Sequence, residues 1–376
     1  MIYFTSICSN YLPKAMALAE SVKRHCSNAI FVVCLVEREA PPEARAFQHF
    51  DRILLAKDAG FEHFDQFIFR HSIVEASTAV KAQAMLHLLN LYPNESKFVY
   101  LDPDILVYAD FIELRRILDT SSIVLAPHLL VPGNIDMEIS SMAHGTYNLG
   151  FLAIRRSENS QRMLQWWSER LFRFCYDDKA RGIFTDQKWI DLVPCFFDAH
   201  ILKHHGYDFA TWSLMGCTLV ETADGYTVNG DPLRFIHFSG VDSDIIQRVM
   251  RDWMTDVSRP VFAKLHQQYL ALLTQHGQAT LGKLAWSYGA YQSGEAIARD
   301  ARISYRDPES WVRFPEPFLA SNEAILPAVR RSAGPINPES RAQGLAAKFF
   351  SCLRNEGPLK ALQKAVHRIK LGLTHG

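Results

Sequence analysis

Two carboxylates stand one residue apart after an uncharged run, in KFVYLDPDILVY (residues 97–108), where Asp102 and Asp104 flank Pro103. Carboxylates this close repel each other, and one pKa rises unless a proton, a basic side chain or a metal ion lies between them. A divalent cation is the simplest of these partners, so the triplet predicts a metal site. A solvated turn is the other interpretation, because Asp and Pro are common turn residues.

The residues before the two acids predict a buried strand. Residues 98–101 are aromatic, β-branched or aliphatic and carry no charge. Pro103 has no backbone N–H, so strand pairing should stop there. The acids then emerge at the carboxyl end of a strand, which is where ligands bind in open α/β sheets. The position in the fold therefore favours a site over a simple turn.

The preceding hundred residues alternate between strand and helix patterns, as a doubly wound sheet requires. Strands are predicted over residues 2–7, 29–36, 51–56, 98–101, 122–127, 147–156 and 232–240. Helices are predicted from about Pro13 to His25, over residues 74–90 and over residues 158–174. The expected fold class is α/β.

Composition excludes several classes of protein. Forty basic and forty acidic residues cancel, so bulk electrostatics gives no reason to expect nucleic-acid binding. Seven cysteines occur singly without a C-x-x-C pair, which indicates neither a zinc ribbon nor a disulfide framework and fits a reducing compartment. No signal peptide or membrane-spanning run is recognisable. We therefore expect a cytoplasmic protein.

The chain divides into four predicted parts: a main domain over residues 1–258, a helical and aromatic extension over 259–329, a linker over 330–340 and basic amphipathic helices over 341–376. Within the last part, residues 345–376 carry six Lys or Arg residues against the single acid Glu356. Such helices either lie on the inner face of the plasma membrane or pack on the body of the protein. Periodicity does not separate these two arrangements.

The order of four motifs carries a family resemblance: YLDPD, then YNLGFLAI, TDQ and finally HFSG. Together they resemble nucleotide-sugar glycosyltransferases with the A-type fold, most closely the retaining group that contains glycogenin and bacterial lipooligosaccharide galactosyltransferases. The likeness covers about residues 1–245, and NYLPKAMALAESV is similar to the opening of that family. It implies a Rossmann-like, mixed but mostly parallel sheet flanked by helices, in a catalytic domain over residues 1–258 with a helical C-terminal extension.

The resemblance also implies roles for individual residues. Asp102, Asp104 and His237 would hold Mn²⁺ or Mg²⁺ together with the diphosphate of the donor. Lys81, Asp186 and Gln187 would act at the donor, the last two beside the anomeric carbon. Donor-binding positions would be Thr5, Ser6, Asn10, Tyr11, Lys81, Asp102, Asp104, Asn148, Gly150 and Gly240.

Each of these residues also has a structural interpretation when it is taken alone. His237 would then be a strand-end histidine and Lys81 a solvated helix lysine. Asn148 and Gly150 would form a turn, and Asp186 would lie in the first turn of a helix capped by Thr185.

The implied activity is metal-dependent transfer of a sugar from a nucleotide-diphosphate donor, with UDP-sugars favoured, to a saccharide or glycolipid acceptor. Retention of configuration and a role in bacterial surface-polysaccharide synthesis are implied as well. The chain departs from the family in two places. Cys8 and Ser9 stand where relatives often have an acid that holds the base, and VDSD (residues 241–244) replaces the Lys-Pro-Trp that commonly follows HFSG.

Two other functions stay open at this point. A haloacid-dehalogenase-like phosphatase also ends a strand with D-x-D and uses the first Asp as nucleophile. Its motif lies on the first strand, whereas about one hundred residues precede Asp102 here, and Ile105 follows where Thr or Val is usual. A non-catalytic nucleotide-sugar-binding protein with the same fold is the second alternative, against which the intact set of two acids and His237 argues.

Overall fold

The computed structural model describes residues 1–133, 135–240 and 245–326. Three segments discussed above lie outside these residues: the linker predicted over 330–340, the basic helices predicted over 341–376, and the VDSD segment. The strands are β1 (Ile2–Ile7), β2 (Ile30–Leu35), β3 (Arg52–Leu55), β4 (Lys97–Leu101), β5 (Ile105–Val107), β6 (Ile123–Pro127), β7 (Tyr147–Arg155), β8 (Asp177–Asp178), β9 (Ile183–Phe184), β10 (His200–Ile201), β11 (Phe209–Ala210), β12 (Leu219–Thr222), β13 (Gly225–Val228), β14 (Asp231–Pro232) and β15 (Phe235–His237).

The α-helices are α1 (Leu12–His25), α2 (Pro42–Ala46), α3 (Phe64–Phe69), α4 (Ile73–Ala79), α5 (Lys81–Leu91), α6 (Ile112–Thr120), α7 (Ile135–His144), α8 (Glu158–Phe174), α9 (Val193–Phe196), α10 (Ile245–Trp253), α11 (Ser258–Gln275), α12 (Gln278–Leu281), α13 (Arg299–Ser304) and α14 (Pro308–Arg313). Among the described helices, none combines the length and apolar character that crossing a bilayer requires.

The main sheet has the strand order β10-β6-β7-β4-β1-β2-β3. β1 pairs in parallel with β2 and β4, β2 with β3, and β6 with β10. β7 is antiparallel to both of its neighbours, β4 and β6. The predicted mixed, mostly parallel sheet flanked by helices is therefore confirmed.

The position of β1 creates a crevice at one edge of this sheet. From β1 the chain builds β2 and β3 on one side, and it later adds β4 on the other side. The order of strands thus reverses between β1 and β4. The helices that follow leave a gap at the carboxyl ends of these two strands. Ligands bind at such a switch point in open α/β sheets.

Alternation along the strands assigns side chains to the two faces of the sheet. Tyr3 and Val99 pack in one apolar cluster with Leu18 of α1 and Leu114 of α6. Successive side chains of a strand point to opposite faces, so Tyr100 lies on the other face, where α4 and α5 cover the sheet. The Lys81 ammonium at the start of α5 lies 4.3 Å from the centre of the Tyr100 ring.

A second sheet, with the order β11-β15-β5, brings a distant segment to the two acids. Pro103 ends the pairing of β4, the chain turns with Ile105 N–H donating to Asp102 O (3.1 Å), and β5 starts in this second sheet. β5 is antiparallel to β15, and Ile105 is paired with His237. The strand predicted over 232–240 is therefore divided between β14 and β15, and β15 belongs to the small sheet.

The helix predicted over residues 74–90 is instead two helices, α4 and α5, which meet at Val80. α4 begins with a capping box in which Ser72 and Glu75 bond to each other's backbone N–H groups. The hydroxyl of Thr78 donates to Glu75 O (3.0 Å) and Val74 O (3.3 Å) near the end of α4. Such bonds to the preceding turn bend helices, which explains the interruption.

Residues 1–321 form one compact unit. α11 begins at Ser258, close to the predicted boundary, and it contributes Phe262, Leu265 and Tyr269 to a cluster with Leu219 of β12 and Ile236 of β15. Further along, the indole N–H of Trp286 donates to Val36 O (2.8 Å) after β2. The division into a catalytic domain and an extension at residue 258 stays a prediction about domain organisation.

Candidate active site

A cleft of about 610 Å³ opens at the carboxyl ends of β1 and β4. Its wall includes Ser6 to Cys8 at the end of β1, part of α4, the D-P-D turn and part of α7. The residues predicted to form a site that line it are Ser6, Asn10, Tyr11, Lys81, Asp102, Asp104, Asn148, Asp186, Gln187 and His237. Thr5, Gly150 and Gly240 lie beside the cleft without lining it.

Asp102, Asp104 and His237 converge on one point of this wall. His237 Nε2 lies 3.0 Å from Asp104 Oδ1 and 3.8 Å from Asp102 Oδ2. One potential ligand atom from each residue can be chosen so that all three lie within 4.8 Å of one another. The imidazole and the two acids are thus close enough to bind one cation.

The charges in this cluster depend on one another. Burial would lower the pKa of His237, but the negative charge of Asp104 raises that pKa well above its usual value. Burial would raise the pKa of Asp104, and the charge and hydrogen bond of His237 hold that pKa below its usual value. A positive charge is therefore stabilised between the carboxylates, supplied by a proton on the imidazole when no cation is bound.

Three neighbours determine where the imidazole of His237 lies. A Cβ on Gly150 would come within 2.4 Å of His237 Cε1, so only glycine leaves room for the ring. The Trp212 ring lies edge-on to it, with ring centres 5.3 Å apart. Asp208 Oδ1 lies 3.3 Å from Nδ1, on the side of the ring opposite to the acids. Nε2 is thereby directed at Asp102 and Asp104.

The donor set fits a hard divalent cation. Two carboxylates and one imidazole match the ligands that Mn²⁺ accepts, and carboxylates with water or phosphate oxygens suit Mg²⁺. Three protein ligands leave coordination positions for a substrate and water. Asp102 and Asp104 would approach from the D-P-D turn, and His237 from the neighbouring strand.

Lys81 lies beneath this cluster as a buried ammonium. It contacts Asp186 Oδ2 (2.9 Å) and Asp102 Oδ1 (3.2 Å), and it donates to Leu149 O (2.9 Å). Burial would lower the pKa of Lys81, but the charges of Asp102 and Asp186 raise it well above its usual value. Lys81 is therefore not a solvated helix lysine, and it links the D-P-D turn to Asp186.

Asp186 is also more deeply buried than we would expect of a residue in the first turn of a helix. It is buried and accepts a hydrogen bond from the Thr185 hydroxyl (3.0 Å), and its backbone oxygen accepts one from the indole of Trp167 (3.1 Å). Burial raises its pKa, and Lys81 partly offsets this effect. Thr185 has a left-handed φ of 43°, so the backbone is strained at this position.

Asn148 and Gln187 hold the backbone beside Asp186. Asn148 Oδ1 accepts from Gly150 N–H (2.8 Å), and its amide nitrogen lies 3.1 Å from His128 Nε2. Gln187 Oε1 accepts from Leu149 N–H (2.9 Å), and its amide donates to His144 O (3.1 Å). The two side chains thereby fix the edge of β7 at the cleft.

The first strand brings the predicted nucleotide-side residues to the other end of the cleft. The Ser6 hydroxyl donates to Ser77 O (2.6 Å), and the buried Thr5 hydroxyl has no hydrogen-bond partner within the part of the chain that the structure describes. Cys8, at the departure from the family pattern, lines the cleft with its sulfur 3.7 Å from Ile73 O. Gly240 turns the chain after β15 with a φ of 78°.

The sequence did not single out four residues that the structure places at the site. The Tyr100 hydroxyl donates to Asp102 Oδ1 (2.6 Å). Asp208 and Trp212 contact His237, and His128 contacts Trp212. Tyr100 could have been noticed because it precedes the D-P-D turn on the same strand face as Asp102. For the other three, no spacing relates them to the motifs.

A smaller cavity of about 270 Å³ adjoins the cleft. His128, Leu129, Met137 and Trp212 line both spaces. Its remaining wall is mostly apolar, with Leu130, Val131, Pro132, Met215 and Cys217 among the lining residues. A ligand in the cleft could therefore extend an apolar group past Trp212.

No protein-family model matches the chain, and no curated protein matches it. Among solved structures, the chain is similar to the galactosyltransferase LgtC in complex with donor and acceptor sugar analogues, with 16% identity, a TM-score of 0.44, and coverage of 73% of this chain and 96% of that chain. It is also similar to mouse xyloside xylosyltransferase 1, with 14% identity, a TM-score of 0.38, and coverage of 63% and 96%.

A third similar structure is the glycosyltransferase GlyE of Streptococcus pneumoniae, with 13% identity, a TM-score of 0.40, and coverage of 77% of this chain and 66% of that chain. All three proteins are glycosyltransferases by name. Similarity at this level does not assign an activity, which has to come from the residues of the cleft.

Proposed function

We propose that this protein is a metal-dependent glycosyltransferase that moves a sugar from a nucleotide-diphosphate donor to a saccharide or glycolipid acceptor. The observation that carries the proposal is the convergence of Asp102, Asp104 and His237 on the wall of a 610 Å³ cleft at the switch point of the sheet. A cleft of this volume is large enough for a nucleotide sugar. The order of the sequence motifs supports the same assignment.

The chemistry follows from where charge develops. Transfer breaks the bond between the anomeric carbon and a diphosphate oxygen, and the diphosphate leaves with added negative charge. Mn²⁺ or Mg²⁺ held by Asp102, Asp104 and His237 would stabilise that charge. Lys81 would hold Asp102 in place, because its ammonium lies 3.2 Å from Asp102 Oδ1.

On the sugar side, we assign Asp186 and Gln187 to the neighbourhood of the anomeric carbon, which becomes positively charged as the bond breaks. Asp186 belongs to the same ion-pair network as Asp102 through Lys81. Such an arrangement keeps a carboxylate next to the developing positive charge. We propose retention of configuration, with the acceptor hydroxyl attacking on the face that the diphosphate leaves and its proton passing to the departing diphosphate oxygen.

The donor and acceptor would enter from different sides. Ser6, Asn10 and Tyr11 line the end of the cleft nearest β1, which we assign to the base of a nucleotide sugar, UDP-sugars being favoured. The adjoining apolar cavity beyond Trp212 suits the nonpolar part of a glycolipid acceptor. Synthesis of a bacterial surface polysaccharide in the cytoplasm is the role we propose on this basis.

The test is a donor-hydrolysis screen with UDP-, GDP-, CMP- and dTDP-sugars, each with and without Mn²⁺, on the wild-type protein and on Asp104→Ala. We expect one donor to be hydrolysed only with the metal, and a rate loss of about 10²-fold or more in Asp104→Ala because a charge-stabilising ligand is removed. Asp119→Ala is the matched control, since Asp119 is 65% exposed and lies outside the cleft.

A metal-independent rate that survives Asp104→Ala would refute the metal assignment. Turnover of phosphate monoesters without any sugar-nucleotide hydrolysis would indicate a phosphatase. Metal-dependent binding of a sugar nucleotide without turnover, even when saccharide acceptors are supplied, would indicate a binding protein.

A further inference from the structure

A buried carboxylate that the sequence motifs do not explain lies behind His237. Asp208 is 3% exposed, and its Oδ1 lies 3.3 Å from His237 Nδ1. Its other oxygen, Oδ2, has no hydrogen-bond partner among the described residues. The Asp208 backbone has a left-handed φ of 52°, which is uncommon for a residue with a side chain.

Each of these features works against the stability of the fold. The Asp208 carboxylate is removed from water, and one of its two oxygens lacks a hydrogen-bond partner among the described residues, so its burial costs free energy. A left-handed non-glycine residue is strained, and such strain clusters at functional sites. Among the described residues, the only ion-pair partner of Asp208 is His237. A residue retained only to stabilise the fold would not be expected to combine these costs.

The topology holds Asp208 at this place. β11 runs parallel to β15, with Phe209 paired with Ile236 and Ala210 with His237. Asp208 directly precedes β11, so the pairing fixes its backbone beside the strand that carries His237. Gly150 and Trp212 restrict the imidazole from other sides. The ring therefore keeps one edge towards Asp208 and the other towards Asp102 and Asp104.

We propose that Asp208 is a positioning residue for the metal ligand His237. Its Oδ1 accepts the hydrogen bond of the Nδ1–H group, which selects the tautomer whose Nε2 lone pair faces the acids. A carboxylate in this position orients a ligating histidine and makes it more basic. The inference rests on the proposed metal site, and it adds a residue that does not touch the cation or the donor.

Calorimetric titration of the purified full-length chain with Mn²⁺, without any nucleotide sugar, tests the proposal. We expect Asp208→Ala to weaken Mn²⁺ binding by about 10- to 100-fold, the usual cost of losing such a partner. Asp208→Asn keeps an oxygen acceptor but loses the charge, so its loss should be smaller. Asp231→Ala is the matched control. Asp231 forms another carboxylate–histidine pair, with its Oδ2 2.8 Å from His205 Nδ1, and its loss should leave Mn²⁺ affinity unchanged.

A second measurement separates positioning from a structural role. The thermal midpoint measured in the presence of chelator serves as the reference for each variant, so any change that the substitution makes to the metal-free fold is subtracted. The increase in midpoint that Mn²⁺ causes should be smaller in Asp208→Ala than in the wild type. A residue with a purely structural role would lower the metal-free midpoint and leave both the Mn²⁺-induced increase and the Mn²⁺ affinity unchanged.

Unchanged Mn²⁺ affinity in both Asp208 variants would overturn the inference, as would absence of Mn²⁺ binding in the wild type. If Asp208→Ala does not fold, Asp208→Asn decides the question by the same titration. The proposed function fails separately: a wild-type protein that binds Mn²⁺ through Asp208-supported His237 but hydrolyses no sugar nucleotide would leave this inference standing.

Discussion

At the scale of single residues, the site is a chain of alternating charges. Asp208, His237 and the pair Asp102 and Asp104 follow one another at distances of 3.0 to 3.8 Å, and Lys81 continues the chain from Asp102 to Asp186. Each buried carboxylate thereby has a cationic neighbour, or a histidine that becomes one. Isolated charges would be too costly in this interior.

Removal of Lys81 tests this coupling. Lys81→Met should destabilise the protein by about 3–5 kcal/mol, since it leaves Asp186 buried without its cation. The double variant Lys81→Met/Asp186→Asn should recover part of the loss, because the unpaired charge is gone as well. Urea unfolding of the four proteins in the cycle measures the coupling, and additive effects of the two changes would contradict it.

The loss in Lys81→Met should also depend on pH. Burial already raises the pKa of Asp186, and without Lys81 that pKa should rise further. A carboxyl whose folded pKa exceeds its unfolded value destabilises the fold above the unfolded value of about 3.9. The deficit should therefore be larger at pH 8 than at pH 5.

At the scale of elements, the small sheet decides where the imidazole lies. β15 is connected to the main body through Arg234, which directly precedes it. The Arg234 guanidinium donates to Glu113 on α6, with Nε 2.9 Å from Oε2, and the Tyr207 hydroxyl donates to the same carboxylate (3.2 Å). Arg234 O also accepts from Tyr108 N–H (2.8 Å) after β5.

Glu113→Gln should weaken this connection in a pH-dependent way. Burial would raise the pKa of Glu113, but the hydrogen bond and charge of Arg234 hold it below its usual value. A carboxylate with a lowered folded pKa stabilises the protein above its unfolded pKa of about 4.3, and this contribution is lost as the pH falls through the folded pKa.

We therefore expect Glu113→Gln to lower the unfolding free energy by about 1–2 kcal/mol at pH 7, because Arg234 is left without a charged acceptor. The difference from wild type should shrink below about pH 4. Denaturant unfolding at several pH values measures it. A deficit that stays constant from pH 7 to pH 3 would show that charge is not the cause.

At the scale of the whole molecule, residues beyond 258 pack on the elements that build the cleft. Arg306, after α13, contacts both carboxylate oxygens of Glu75 at 3.0 and 2.9 Å and lies 3.7 Å from the centre of the Tyr176 ring. Glu75 belongs to the capping box of α4, which lines the cleft. The late segment therefore stabilises the start of α4.

Arg306→Met should lower the stability of the protein by about 3 kcal/mol, since it leaves the buried Glu75 without its cation. We expect urea to unfold residues 1–321 in one transition, with a lower midpoint in the variant and an unchanged slope. Arg313→Met, at an exposed position, is the control and should change stability by less than about 0.5 kcal/mol.

Two separate transitions, with only the second affected by Arg306→Met, would show that the segment after residue 258 folds as an independent domain. That result would support the boundary predicted from composition. A shift of one common transition would favour a single folding unit.

The local pattern of the sequence determined most of the main sheet and one half of the proposed metal site. Buried strands and amphipathic helices alternate with the periods of their own backbones, so six of the seven strands of the main sheet could be predicted, whereas the two-residue β10 was too short to give a pattern. The two acids stand one residue apart, so their repulsion and their position after a strand could be inferred from the chain alone. The two acids are close because a single residue separates them along the chain, and tertiary packing does not change this separation.

Only the tertiary structure determines the other half of the proposed metal site, which is the position of His237. His237 reaches Asp104 because β15 pairs with β5 in one register, and a shift by one residue would turn the imidazole to the other face. Asp208 reaches His237 through a further pairing of β11 with β15. Register between distant strands depends on how their side chains pack together, and local periodicity does not contain that information.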